Sequence, residues 1–156
     1  MAKRPAVRDL LGAIAAILLV NAVGAAPALV VETDTGWYED PALTPPEIAF
    51  PIVWTVLFTL MGIVGFVFWR ARDTREARVA LGVFALQLGL TVAWTPVFFG
   101  LQKPILGFAV IVTLWVAVLA TILAVDRVDR RAALLLVPYL AWISLATYLN
   151  GAIAFG

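Results

Sequence analysis

Pro104–Val125 reads PILGFAVIVTLWVAVLATILAV, and this stretch decides the fold. It holds 22 residues and no charge. At ~1.5 Å of rise per residue, a helix of about 20 residues crosses ~30 Å of hydrocarbon. Four further charge-free runs flank it: Leu10–Val31, Ile48–Trp69, Val79–Gly100 and Ala132–Gly156. Each is long enough to span once. Hydrophobic residues make up 63% of the 156 and charged residues 13%, against about 45–50% and about 25% in a soluble domain. The expectation is one all-α integral membrane domain over 1–156. Its five transmembrane helices fall near 10–31, 48–69, 79–100, 104–125 and 132–154, with one long outer loop at 32–47.

The charge distribution orients the bundle. The N-terminus (Lys3, Arg4, Arg8), the 70–78 turn (Arg70, Arg72, Arg75, Arg78) and the 126–131 turn (Arg127, Arg130, Arg131) fall on one face and hold ten of the eleven bases. The other face holds Lys103 alone, while the 32–47 loop carries Glu32, Asp34, Glu39, Asp40 and Glu47. The positive-inside rule then puts the N-terminus in the cytoplasm and the C-terminus outside. A prokaryotic plasma membrane is the default host. The basic turns read as topology signals, and no nucleic-acid partner is expected. Leu10–Ala26, with its Ala22-Val23-Gly24-Ala25-Ala26 cluster, also resembles a cleavable signal. Retention as a first span is the preferred reading.

The same composition narrows the chemistry. The chain has no histidine, no cysteine, and only Met1 and Met61. Ser–His and Cys–His nucleophile systems are thereby excluded, and the usual zinc and haem ligands are missing. No charge lies inside any run, which argues against a proton-coupled carrier. No metal site is expected, and any enzymatic activity would need unconventional residues.

What the runs do carry is aromatic. Of six tryptophans, five lie in the spans (Trp54, Trp69, Trp94, Trp115, Trp142) and Trp37 lies in the loop. Trp54 and Phe58 share a helix face, as do Trp94 and Phe98, and Tyr139, Trp142 and Ala146. Trp54 and Trp94 both sit six residues below the outer ends of their runs, about 9 Å deep. They are placed to meet beneath Trp37 and Tyr38. Pro27, Pro96 and Pro138 are expected to bend their helices or end them early. Gly82, Ala85, Gly89 and Ala93 form a small-residue stripe suited to a close helix–helix contact and are the expected homodimer face. Asn21 and Gln87 read as hydrogen bonds between helices, and Asn150-Gly151 as the end of the last helix. The 32–47 loop reads equally as a lid or as a plain acidic connector.

Three segments in order resemble the translocator protein family, also called tryptophan-rich sensory proteins or peripheral benzodiazepine receptors. They are Phe50-Pro51-Ile52-Val53-Trp54-Thr55 to Leu60-Met61-Gly62, then Gln87-Leu88 to Trp94-Thr95-Pro96-Val97-Phe98-Phe99-Gly100, then Pro138-Tyr139-Leu140-Ala141-Trp142 to Ala146-Thr147-Tyr148-Leu149-Asn150. Trp37-Tyr38 with Pro45-Pro46 matches the family's first loop. The resemblance implies a five-helix bundle, often dimeric, with a pocket for porphyrins such as protoporphyrin IX and for benzodiazepine-type ligands. The implied ligand-binding residues are Trp37, Tyr38, Trp54, Phe58, Thr91, Trp94, Phe98, Tyr139, Trp142 and Ala146. Function on this reading is sensing, sequestration or transport of a flat apolar ligand. Some bacterial members promote light- and oxygen-dependent porphyrin breakdown, which would make Trp54 and Trp142 the catalytic pair. A ligand-free helical scaffold is the third reading. The chain departs from the family pattern in having Thr91 for a frequent Asn, Phe58 for a Tyr, and a shortened loop without Lys-Pro. No base follows Tyr139 or Tyr148, so the forward cholesterol motif is missing.

Overall fold

The computed structural model describes residues 6–33 and 35–156. Lys3, Arg4 and Asp34, used in the charge argument above, lie outside the described residues. The helices are α1 (Val7–Val30), α2 (Ala49–Arg70), α3 (Arg75–Thr95), α4 (Pro104–Asp126), α5 (Arg130–Leu135) and α6 (Val137–Phe155). A π-helical turn, Pro96–Gly100, prolongs α3. Five helical segments are long and apolar enough to cross a membrane, the last formed by α5 and α6 together.

Helices run past the charge-free runs at several ends, because caps rather than apolarity set their starts. Thr74 Oγ1 accepts from Ala77 N at 3.2 Å, opening α3 four residues before Val79. Asp129 Oδ1 accepts from Arg131 N and Ala132 N, opening α5. Such caps satisfy donors that the first helical turn leaves unpaired.

The prolines act differently from one another. At Pro96 the α-helix relaxes into the wider π turn, closed by Leu101 N donating to Pro96 O at 2.8 Å. Ahead of Pro138 the fifth span breaks at Leu136, between α5 and α6. Helix α1 runs through Pro27 and stops at Val30, where Val31 N bonds to Pro27 O.

Helix α4 packs along both α3 and α6, α1 packs along α2 and touches α3, and α5 docks against α2. The half of the bundle away from the 32–47 loop is solid. Met61, Val64 and Phe68 of α2 are fully buried with Val118 and Val125 of α4, Ala80 of α3 and Leu136. Glycines set the α1–α2 approach: a Cβ on Gly62 would lie 2.5 Å from the Ile17 Cα, and Gly12 and Gly24 receive the Phe66 and Phe58 rings. Asn21 Nδ2 bridges the same seam, donating to Thr59 Oγ1 at 3.3 Å as well as to Ile17 O. At the rim away from the loop Trp69 is exposed with the Arg72 guanidinium 4.2 Å from its ring, as suits an interfacial tryptophan.

Candidate functional site

The half of the bundle beneath the 32–47 loop is hollow. A cavity of about 730 Å³ lies beneath the loop, within the range of roughly 300–1,000 Å³ usual for small-molecule sites. Its walls come from α1 (Asn21, Gly24, Ala25, Ala28), α2 (Phe50, Pro51, Trp54, Thr55, Phe58), α3 with its π turn (Thr91, Trp94, Thr95, Phe98, Phe99) and α6 (Trp142, Ala146, Leu149, Asn150, Ile153). The loop roofs it through Tyr38, Asp40, Pro41, Thr44, Pro45 and Glu47.

The rings form two groups. Trp54 stacks on Phe58 at 5.2 Å and meets Trp142 edge-on at 6.4 Å, and Phe50 meets Trp142 at 5.6 Å. These contacts join α2 to α6. Opposite them, Trp94 stacks on Phe98 at 4.9 Å and meets Phe99 edge-on. The expected meeting of Trp54 and Trp94 is therefore indirect. Among the described residues they make no ring contact with each other, and both face the same space. The π turn contributes here: with more residues per turn it changes the angle between neighbouring side chains, the consecutive Phe98 and Phe99 both line the cavity, and such turns recur at functional sites.

Eight of the ten ligand-binding residues named from the sequence line this cavity: Tyr38, Trp54, Phe58, Thr91, Trp94, Phe98, Trp142 and Ala146. Trp37 and Tyr139 do not. Trp37 lies behind Tyr38, its ring 5.2 Å from Phe98, with its buried Nε1 lacking a partner among the described residues. Tyr139 is 1% exposed behind Trp54. Its hydroxyl lies 2.5 Å from Thr91 Oγ1. Thr91 spends its one proton on Gln87 O at 2.9 Å, so Tyr139 donates to Thr91. Trp37 and Tyr139 thus buttress the wall instead of facing the space.

Asn150 corrects a sequence reading. Its local preference for a helix end is overridden: α6 continues to Phe155, close to the expected end near 154, with Asn150 in its body. Its Oδ1 accepts from Trp94 Nε1 at 2.9 Å and its Nδ2 donates to Pro104 O at 2.8 Å. One side chain thus ties α6 to α3 and α4 and fixes the Trp94 ring. The α1 wall goes beyond the site residues named from the sequence. The usable signal was Asn21, Gly24, Ala25 and Ala28, small or polar residues on one helical face.

The proposed dimer stripe has a different setting. Gly82, Ala85, Gly89 and Ala93 are all exposed on the outside of α3, and a Cβ on Gly82 or Gly89 would meet nothing within 4 Å. Trp115 also lies away from the cavity, donating to Ser144 Oγ at 2.8 Å across α4 and α6.

A five-span helical bundle hollowed under one loop and walled by indoles defines a class of integral membrane protein with an aromatic cavity. Residues 16–155 match the TspO/MBR family, and the chain belongs to that family. It is 42% identical over 137 residues to "Tryptophan-rich protein TspO" of Chlorobaculum tepidum, covering 85% of this chain and 87% of that one. The likeness to the protein of the same name from Archaeoglobus fulgidus is 40% over 149 residues, with 93% and 96% covered. "Translocator protein" of Homo sapiens is 38% identical over 121 residues, with 73% and 70% covered.

Proposed function

We propose that the chain binds a flat apolar ligand of the tetrapyrrole class in the outer cavity, for sensing, sequestration or transport. The observation that carries this reading is a cavity of about 730 Å³ with indoles on opposite walls. A flat ring system entering it would meet aromatic faces on both sides, each offset contact contributing ~0.5–1.5 kcal/mol beyond area burial. Names among the relatives, such as "Tryptophan-rich sensory protein" of Cereibacter sphaeroides, agree with a sensing role.

The test is a titration of protoporphyrin IX dimethyl ester, the uncharged macrocycle, against tryptophan fluorescence in nanodiscs. Saturable quenching is expected. Trp54→Ala with Trp142→Ala should weaken it about tenfold, two lost ring contacts at ~0.7 kcal/mol each. Unchanged affinity in that double variant removes this cavity from consideration. A second reading rests on the edge-on contact of Trp54 and Trp142 at the cavity wall. Two oxidisable indoles beside a bound sensitiser suit porphyrin degradation driven by light and dioxygen. Illumination of the same complexes decides it: equal bleaching with wild type and with the Trp54→Phe, Trp142→Phe variant rejects a catalytic role.

The exposed α3 stripe is assigned to a homodimer, since small residues let helices approach closely in lipid. Gly89→Leu is expected to yield monomers by native mass in nanodiscs, and a persisting dimer would move the interface elsewhere.

The host is proposed to be a prokaryotic plasma membrane with the N-terminus cytoplasmic. The cysteine-free chain makes this easy to check. In intact cells an impermeant maleimide should label Ala42→Cys in the loop and spare Asp73→Cys in the α2–α3 turn. The reverse pattern means the opposite orientation.

A further inference from the structure

The charges at the cavity mouth all have one sign. Asp40 and Glu47 line the opening, and no lysine or arginine is among the lining residues. Glu32 and Glu39 lie on the same loop. Lys103, the single base on that side, is exposed in the α3–α4 link outside the lining. The ion pair found among the described residues, Arg70–Asp9, belongs to the opposite end.

Several donors on the walls are already engaged. Thr44 and Thr55 donate their hydroxyl protons to the Pro41 and Pro51 carbonyls, and Thr91 donates to Gln87 O. The Trp94 N–H is held by Asn150. A carboxylate entering here would face two acids and find no cation. A cationic group would meet two carboxylates and the negative faces of the indoles, the arrangement that recognises ammonium ions in aromatic cages.

We propose that the cavity selects by charge, taking a flat aromatic ligand with a cationic group directed to the Asp40–Glu47 mouth over one bearing carboxylates. This rests on the outer cavity being the ligand site. The probes are three forms of one macrocycle: protoporphyrin IX with two carboxylates, its neutral dimethyl ester, and a diamide with a quaternary ammonium on each arm. Each is titrated against tryptophan fluorescence in nanodiscs of zwitterionic lipid.

The expected order is ammonium form tightest, ester next and dicarboxylate weakest, with at least about tenfold between the extremes. Because Asp40 and Glu47 are exposed, the gap should shrink as salt rises. In the Asp40→Asn, Glu47→Gln variant it should fall to about twofold. Equal or tighter binding of the dicarboxylate overturns the proposal. So does an order unchanged in the double variant, which would mean that partition into the bilayer sets it. Saturable binding without a charge order sinks charge selection alone, whereas no saturable binding by any of the three sinks the cavity reading with it.

Discussion

Gly62→Val is expected to destabilise the bundle by about 3 kcal/mol, the upper range for overpacking a filled contact. The reason is what lies opposite. A Cβ at position 62 would sit 2.5 Å from Ile17 Cα, 2.9 Å from Ile17 N and 3.1 Å from Ala16 O. All three are backbone atoms, so no rotamer change relieves the clash and α1 must move off α2. That separation would also pull Gly24, Ala25 and Ala28 away from the cavity. Thermal unfolding in detergent reads the effect as a large fall in Tm. Gly65→Ala is the control, because its added methyl would meet only the Phe84 ring at 3.5 Å, an ordinary contact, and Ala favours a helix over Gly by ~0.8–1 kcal/mol. A Gly62→Val protein that melts with wild type would show that the two helices are not in backbone contact.

Asn150→Leu should have the next largest effect. The side chain is 1% exposed and serves two elements at once. Leucine fills a similar volume but leaves the Trp94 N–H and one Pro104 carbonyl lone pair unmet. Interhelical polar contacts in membranes average ~0.6 kcal/mol and reach ~1.7, so two of them predict a loss of about 2 kcal/mol. Freed from its acceptor, the Trp94 ring no longer holds one wall of the cavity, and affinity for the macrocycle should fall severalfold. A double-mutant cycle with Trp94→Phe, which lacks the N–H, isolates the contact. A coupling of about 1 kcal/mol is expected. Coupling near zero would make the Trp94–Asn150 contact incidental to stability.

The fold was largely legible because a bilayer imposes one-dimensional rules. Hydrocarbon offers backbone groups no water, so an apolar run of span length has to be helical. The same logic made Trp54 with Phe58, and Trp94 with Phe98, readable as faces of single helices. The cavity as an enclosed space was not legible. Which face of α2 opposes which face of α6 depends on packing at positions that no helical period reveals. Trp37 and Tyr139 illustrate the difference. Both are aromatic and rightly placed in depth, yet one lies behind Tyr38 and the other behind Trp54. Asn150 shows it again, because local preference for helix ends lost to two tertiary hydrogen bonds.

The sequence alone determined five spans, the pairing of aromatic residues along single helix faces, and a chain without histidine or cysteine side chains. Those follow from composition, from the helical period and from the length of chain needed to cross lipid. Only the tertiary structure decided that the bundle is hollow beneath the 32–47 loop and solid at its other end, that α1 supplies a wall, and that Asp40 and Glu47 line the cavity. Those depend on how closely neighbouring backbones approach. That closeness is set by glycines at Gly24 and Gly62, a break before Pro138 and a widened turn after Pro96, features whose meaning appears only when a second helix is in place.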